Sequence, residues 1–443
     1  MELDVSPLLT DLYQLTMLQA YLDSGMTDIA VFEFFVRKLP ASWNFLIAAG
    51  LDDVLNYLEK LQFGSDEVAW LAHQEFPPTL VRYLQEFHFS GDVFAMPEGT
   101  VFFPLEPILC VVAAMPEAQL VETRVINLLQ YQTLVASKAA RSVLVGEDRF
   151  LVEFGMRRAH GAEAALLAAR ASYLAGCGGT SNVLAGWKYG IPTYGTMAHS
   201  FIEAHASEIE AFMNFARSHR RDIVLLIDTY DTERGASRAV EIAQKLAREE
   251  IKIAGVRLDS GDLALHAFKV REILDRGGLQ DTTIFASGNL DEWKVRDLLA
   301  KKAPIDGFGI GTSLDVIADS PSLDCAYKLQ EYAGVPRRKR SEGKATWPGR
   351  KQVFRSHDKA AMAHDIVAAH DDVHPGEPKL QPFMKGGRRT AVAEPLVKTR
   401  ERTRAQLAAL PQSLRGLDKA DAFPVEIAES LRRLAQIADQ ASA

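Results

Sequence analysis

Ile223-Val-Leu-Leu-Ile-Asp-Thr-Tyr-Asp231 runs five apolar residues into a polar tail, and a helix-like stretch follows over 233–250. A short apolar run bounded this way fits a strand buried on both faces, as in parallel sheets. The same unit recurs outward in both directions. Ile253-Ala-Gly-Val256 leads into Arg257-Leu-Asp-Ser-Gly-Asp262, Thr283-Ile-Phe285 into Ser287-Gly-Asn289, and Gly307-Phe-Gly-Ile310 into Gly311-Thr312. Upstream, Phe150-Leu-Val-Glu-Phe154 leads into Gly155, Arg157 and Arg158, and Ile191-Pro-Thr-Tyr194 into Gly195-Thr-Met-Ala-His199. Helical patterns are expected over 161–175, 181–189, 201–218, 233–250, 262–276, 290–301 and 313–318. In a parallel α/β array all strand C-termini face one way, so these polar tails converge on one site, as in (β/α) barrels.

The flanks read differently. Residues 7–24 form an amphipathic helix pattern closed by Gly25, 31–36 a strand and 50–61 a helix. The Val-, Phe- and Pro-rich stretch 89–114 predicts short antiparallel strands, and 117–140 a long helix. Beyond Leu323 come a strand over 325–332, a basic turn-rich segment over 336–355 and polar helical stretches from 401. No low-complexity linker separates the flanks, so they are expected to pack together as one domain around the barrel.

With 443 residues, 47% hydrophobic and 24% charged, the chain has the composition of a soluble globular protein with a large core. A net charge of −8 gives no footprint for nucleic acid or a membrane surface. Cys110, Cys177 and Cys325 lie far apart with no C-x-x-C pair, which predicts reduced cytosolic thiols. The acidic start, Met1-Glu-Leu-Asp-Val-Ser-Pro7, lacks the basic region of a signal peptide, and no apolar run reaches the roughly 18 residues of a membrane span.

Each strand-end residue carries a bland and a chemical reading. His199 is either a neutral packed histidine or a working imidazole; its turn position before a helix start favours the second, as general base or phosphate acceptor. Asp228, Asp231, Asp259 and Asp262 are loop aspartates, which commonly cap helices, as Asp262 is expected to do. Asp228 and Asp259 directly follow apolar runs, where a carboxylate can orient the imidazole, hold ribose hydroxyls or meet hydrated Mg2+. Arg157, Arg158 and Arg257 are solvated charges or anchors for carboxylate and phosphate. Phe154 is core or a stacking platform for a flat ring. Gly288, Gly309 and Gly311 end the late strands, where such barrels bind phosphate. The basic run Arg337-Arg-Lys-Arg340, with Lys344, Arg350 and Lys351, is a solvated loop or an anion-binding flap. Ser341-Glu-Gly-Lys-Ala-Thr346 is no P-loop, because Arg338 stands where its first glycine is required.

A set of motifs now gains meaning in order: Leu9-Thr-Asp-Leu-Tyr-Gln14, Ala48-Ala-Gly-Leu51, Glu153-Phe-Gly-Met-Arg-Arg158, Gly179-Thr-Ser-Asn-Val-Leu-Ala-Gly186, Gly195-Thr-Met-Ala-His-Ser200, Val256-Arg-Leu-Asp-Ser-Gly-Asp262 and Gly309-Ile-Gly-Thr312, with Ser341-Glu-Gly-Lys344 and Pro348-Gly349. Together they resemble the nicotinate phosphoribosyltransferases, which are type II phosphoribosyltransferases, from about Thr10 to Arg355. The resemblance implies an α/β fold: an irregular (β/α) barrel of that type over 141–325. An α+β domain of 1–140 would be joined by 326–443 packing back on it. It implies ATP-coupled transfer of phosphoribosyl from phosphoribosyl pyrophosphate to nicotinate, giving nicotinate mononucleotide and pyrophosphate, the first step of NAD salvage from nicotinate. Mg2+ is implied as cofactor and ATP as co-substrate, with no dedicated protein metal cluster. His199 would be a transient phosphohistidine and Asp228 would hold its ring. Arg257 and Asp259 would meet base and ribose, Phe154 would stack on the pyridine, and Arg157 would bind nicotinate or phosphate. Thr180, Ser181, Ser287, Gly288, Gly309, Gly311 and Thr312 would complete the substrate-binding set. A cytoplasmic homodimer is implied, with Tyr13 of a second copy completing each site.

Ser181 bears on the base. It stands where nicotinamide-using relatives carry an aspartate, which accepts from a carboxamide but repels a carboxylate, whereas serine donates to it. Ala41-Ser-Trp-Asn44, in place of a glycine-rich loop, and the basic Arg338-Lys-Arg340 depart from the pattern. Competing readings are a nicotinamide or quinolinate phosphoribosyltransferase, a metal-dependent barrel lyase using Asp228 and Asp259 on a sugar phosphate, and a phosphohistidine-bearing metabolite sensor without turnover.

Overall fold

All but one of the apolar runs become parallel strands in the computed structural model, which describes residues 6–441; the acidic start at 1–5 lies outside the described residues. The strands are β1 (Phe150–Glu153), β2 (Gly179–Thr180), β3 (Ile223–Leu226), β4 (Ile253–Leu258), β5 (Thr283–Ala286) and β6 (Gly307–Ile310). They form a six-stranded sheet in the order β2-β1-β6-β5-β4-β3, parallel throughout. Leu151, Val152, Leu225, Val256, Leu258, Ile284, Ala286 and Phe308 are all buried, as strands covered on both faces require.

The remaining run, 191–194, does not form a strand. Pro192 has no N–H for a ladder, and only Thr193 bridges Thr180, in the parallel sense. The sheet is accordingly open, with β2 and β3 at its edges and no pairing between them among the described residues. The unit is a mixed α/β fold with an open parallel wall. Glycines let that wall carry aromatic rings. A Cβ on Gly309 would lie 2.6 Å from the Phe154 ring, and one on Gly307 would lie 2.9 Å from the Phe285 ring.

Side-chain caps set where each strand-end loop turns into helix. The helices are α1 (Ala162–Ala175), α2 (Val183–Tyr189), α3 (His199–Glu203), α4 (Glu208–His219), α5 (Thr232–Ala247), α6 (Leu263–Arg276), α7 (Glu292–Ala300) and α8 (Thr312–Asp315). Asn182, Ser207, Asp231, Asp262 and Asp291 each accept a backbone N–H at the start of α2, α4, α5, α6 and α7. Such caps contribute about 1 kcal/mol each. Ser207 explains why the helix expected over 201–218 splits in two: it restarts the chain as α4, accepting from Glu210 N at 3.2 Å.

The chain folds as two units, Lys138–Pro321 and a second made of Met1–Ser137 with Ser322–Ala443. The junctions of these units fall at 137/138 and 321/322. In the second unit both chain segments share one seven-stranded sheet, where Ile29–Val36 lies antiparallel between Pro107–Ala114 and Cys325–Tyr332. A four-stranded sheet is built around Lys351–Asp358 and Ala361–Ala369. The long helix expected over 117–140 is two, Met115–Leu120 and Glu122–Gly146.

The basic segment of this unit is largely spent on internal partners. Lys351 is buried and its Nζ sits 2.7 Å from Glu33. The Arg350 guanidinium lies 3.9 Å from the centre of the Phe94 ring, and Arg338 pairs with Asp439 at 3.5 Å. Among the described residues no helix is long and apolar enough to cross a membrane.

Candidate active site

The polar tails of β3, β4 and β5 join in one hydrogen-bonded chain. Arg257, within β4, donates from Nε to Ser287 Oγ at 2.8 Å, from Nη2 to Asp259 Oδ1 at 2.8 Å and from Nη1 to Thr196 Oγ1 at 3.3 Å. The Ser287 hydroxyl donates to Asp259 Oδ1 at 2.5 Å. Asp259 N and Ser260 Oγ both donate to Asp228 Oδ2, at 2.8 and 2.6 Å. Burial pushes the Asp259 carboxyl up, but the Ser287 hydroxyl, the Arg257 guanidinium and His199 outweigh it and hold the group below its ordinary range.

His199 opens α3 and faces this chain. Its Nδ1 lies 3.1 Å from the Thr229 hydroxyl and its Nε2 lies 4.0 Å from Asp228 Oδ1. The Asp228 side chain is 1% exposed, and Oδ1 accepts no hydrogen bond. A buried carboxylate oxygen without a hydrogen-bond donor costs about 1–3 kcal/mol, so this oxygen is a place for a donor presented by the facing ring. The imidazole itself is 40% exposed and open to a reactant.

Phe154 lies beside the chain. The Arg257 guanidinium sits 5.5 Å from its ring centre, and Phe285 tilts against it at 5.8 Å. A cation over a ring in such a setting stabilises by ~0.5–2 kcal/mol and fixes both groups. The late glycines serve this packing: besides Gly309, a Cβ on Gly311 would meet Phe154 O at 2.8 Å. Gly288 is required for two reasons, a φ of +96° and a Cβ position 1.9 Å from Asp259 O. Thr312 opens α8 directly after Gly311.

Thr180 is fully buried and its hydroxyl donates to Glu153, so Ser181, half-buried, is the more accessible residue of that pair. Arg157 and Arg158 sit exposed on a 3-10 turn, Met156–Arg158. Tyr13 belongs to the other unit, 46% exposed on the helix Leu12–Asp23. Asp231 and Asp262 are helix N-caps.

Several members were missed from sequence. Thr229 and Ser260 each follow a named aspartate and were available as hydroxyls at a strand end. Thr196 lies in the quoted His199 motif. Glu153 opens a quoted motif but was read only as the end of an apolar run, and Asp315 had no signal because it sits in a four-residue helix. Both are buried, and both carboxyls lie against Gly155. Among the described residues no three or more His, Cys, Asp or Glu side chains gather as a metal cage.

Comparison with known proteins bears on what this geometry is for. A family model for the nicotinate phosphoribosyltransferase N-terminal domain matches residues 8–130, and the model for the nicotinate phosphoribosyltransferase family matches 150–345. A Mycobacterium tuberculosis nicotinate phosphoribosyltransferase is 47% identical over 96% of this chain and 92% of its own length. One from Bacillus subtilis is 39% identical over 84% and 78%. The crystal structure of the human nicotinic acid phosphoribosyltransferase superposes with a TM-score of 0.88 at 28% identity, covering 98% of this chain and 99% of that one.

Proposed function

Because the chain belongs to the nicotinate phosphoribosyltransferase family, we propose that it moves phosphoribosyl from phosphoribosyl pyrophosphate onto the ring nitrogen of nicotinate. The products are nicotinate mononucleotide and pyrophosphate, and the reaction is coupled to ATP. The observation that carries the coupling is the His199–Asp228 pair, an exposed imidazole backed by a buried, unpartnered carboxylate oxygen.

In the transfer, the bond from ribose C1 to the pyrophosphate oxygen breaks with its electron pair leaving on pyrophosphate. The pyridine nitrogen lone pair forms the new bond to C1. The nitrogen carries no proton, so no base is needed, and catalysis is orientation and charge stabilisation. Phe154 and Arg257 present the ring, Arg157 and Ser181 meet the carboxylate, and Asp259 holds ribose. Ser287, Gly288, Gly309, Gly311 and Thr312 line the phosphate side. The carbon passes through an oxocarbenium-like state, as in glycosyl transfer, and negative charge beside it lowers the barrier.

In the coupling step the γ-phosphoryl group leaves ADP and bonds to a ring nitrogen of His199. The N–H on the other nitrogen faces Asp228, which stabilises the charge on the ring. Water later releases phosphate and restores the imidazole.

The donors fit Mg2+ carried largely by substrate, since that ion keeps waters and takes one or two carboxylates beside phosphate oxygens, and part-exposed Asp259 is one such carboxylate. When bound it neutralises charge on the departing pyrophosphate.

The open sheet is the wall of an irregular (β/α) barrel on this reading. A homodimer with Tyr13 from a second copy at each site is supported by an exposed apolar face on α2, where Val183 and Trp187 are 76% and 75% accessible. A reducing, cytoplasmic setting is supported by three thiols free of disulfides. Ser181 favours nicotinate over nicotinamide. The test offers the full chain phosphoribosyl pyrophosphate, Mg2+ and ATP with either base. Nicotinate mononucleotide is the expected product, and no mononucleotide from either base would overturn the reading.

A further inference from the structure

We propose that Glu153 and Asp315 form a carboxyl pair holding a single proton, and that this pair positions the loops that receive nicotinate. The proposal rests on the function above but stands on separate geometry. Glu153 ends β1 and Asp315 ends α8; they are 0% and 1% exposed. Two buried carboxyl groups that both lie against Gly155 do not both ionise, because the like charges would repel at low dielectric.

The surroundings say which one keeps the proton. Glu153 accepts from the Gly155 and Met156 N–H groups and from the Thr180 hydroxyl, which favours its carboxylate. Burial and the adjacent Glu153 push the Asp315 carboxyl up to about 9. Asp315 therefore carries the proton and donates it to Glu153. The other charged or titratable groups on the elements packed against α8 are Arg157 and Arg158 on the 3-10 turn, and Glu163, Arg170 and Tyr173 on α1.

One side chain thereby joins two strand ends. Through Gly155 it holds the turn that carries Phe154 and Arg157. Through Thr180 it holds β2, whose hydroxyl in turn accepts from Asn182 N at 2.9 Å. The Glu153 carbonyl also accepts from Ser181 N at 2.9 Å. Gly155 rests directly on the partner: a Cβ there would lie 2.2 Å from the Asp315 carboxyl carbon. Ionising Asp315 would set two carboxylates against each other under this loop and loosen the residues assigned to the base. Both are positioning residues, since neither meets a substrate.

The test compares steady-state kinetics of the full chain from pH 7 to 10. Glu153→Gln cannot accept from both Gly155 and Thr180 while facing Asp315. It should raise KM for nicotinate by about 10-fold or more with kcat changed by less than about 3-fold, a split that marks lost ground-state positioning. Asp315→Asn keeps a neutral donor to Glu153. It should stay within about 2-fold of the parent KM at pH 7 and hold that value above pH 9, where the parent KM rises. A parent-like KM in Glu153→Gln, or an alkaline rise retained in Asp315→Asn, would overturn the proposal. Should Glu153→Gln not fold, the Asp315→Asn profile decides.

Stability gives a readout independent of the reaction. A carboxyl raised in the folded state contributes most below its unfolded pKa near 4 and loses that contribution as pH climbs to about 9. Asp315→Asn should therefore gain stability relative to the parent between pH 5 and 9, and a constant difference would overturn the pair. If the parent makes no mononucleotide, the functional reading fails while this comparison still judges the pair.

Discussion

Asp228 Oδ1 faces His199 Nε2 across 4.0 Å and accepts no hydrogen bond, while Asp228 Oδ2 is held by Asp259 N and Ser260 Oγ. One oxygen is thus anchored and the other reserved for the imidazole. Asp228→Asn preserves the anchored side through its carbonyl but removes the charge from the reserved one. The ATP-dependent part of the rate should fall on the order of ten- to a hundred-fold, with the ATP-independent part little changed, measured as initial rates with and without ATP.

Ser181 is the half-buried member of the Thr180–Ser181 pair and can donate to a carboxylate. Ser181→Asp places a negative charge where nicotinate's own carboxylate is expected. Its kcat/KM for nicotinate should drop by about 100-fold, roughly 2.7 kcal/mol of transition-state binding. Parent-like nicotinate kinetics would remove Ser181 from the base pocket.

Asp259 has a carboxyl held below its ordinary range, so the sign of its pH effect is determined. A depressed carboxyl contributes stability above its unfolded pKa, near 4, and loses that contribution as pH falls through the lower folded value. The stability gap between the parent and Asp259→Asn should be flat from pH 8 to 5 and close below about pH 4. Urea titration at stepped pH measures it.

Gly309 leaves room for the Phe154 ring, which a Cβ would approach to 2.6 Å. Gly309→Ala should cost about 1–3 kcal/mol by overpacking and raise KM for nicotinate as the ring shifts. Melting temperature and KM should move together; a change in neither would mean that Phe154 yields freely.

Much of this site was legible because strand-end chemistry is local. Asp228, Arg257, Asp259 and Ser287 each follow or end an apolar run, and parallel topology alone brings those ends together. The links between them were not legible. Thr229 and Ser260 look like ordinary loop hydroxyls until the fold turns them toward His199 and Asp228. Asp315 lies in a helix too short for periodicity, and its importance comes from burial against Glu153. A strand was over-read at 191–194, where Pro192 and a single bridge stand instead. The basic run over 337–351 shows the limit of charge patterning: Lys351 is buried on Glu33, a pairing more than three hundred residues apart in sequence.

The most direct test of the account is the yield of nicotinate mononucleotide with and without ATP, for the parent chain and for His199→Ala. Product is expected from both, with a clear ATP stimulation in the parent and none in the variant. Equal stimulation by ATP in His199→Ala would contradict it.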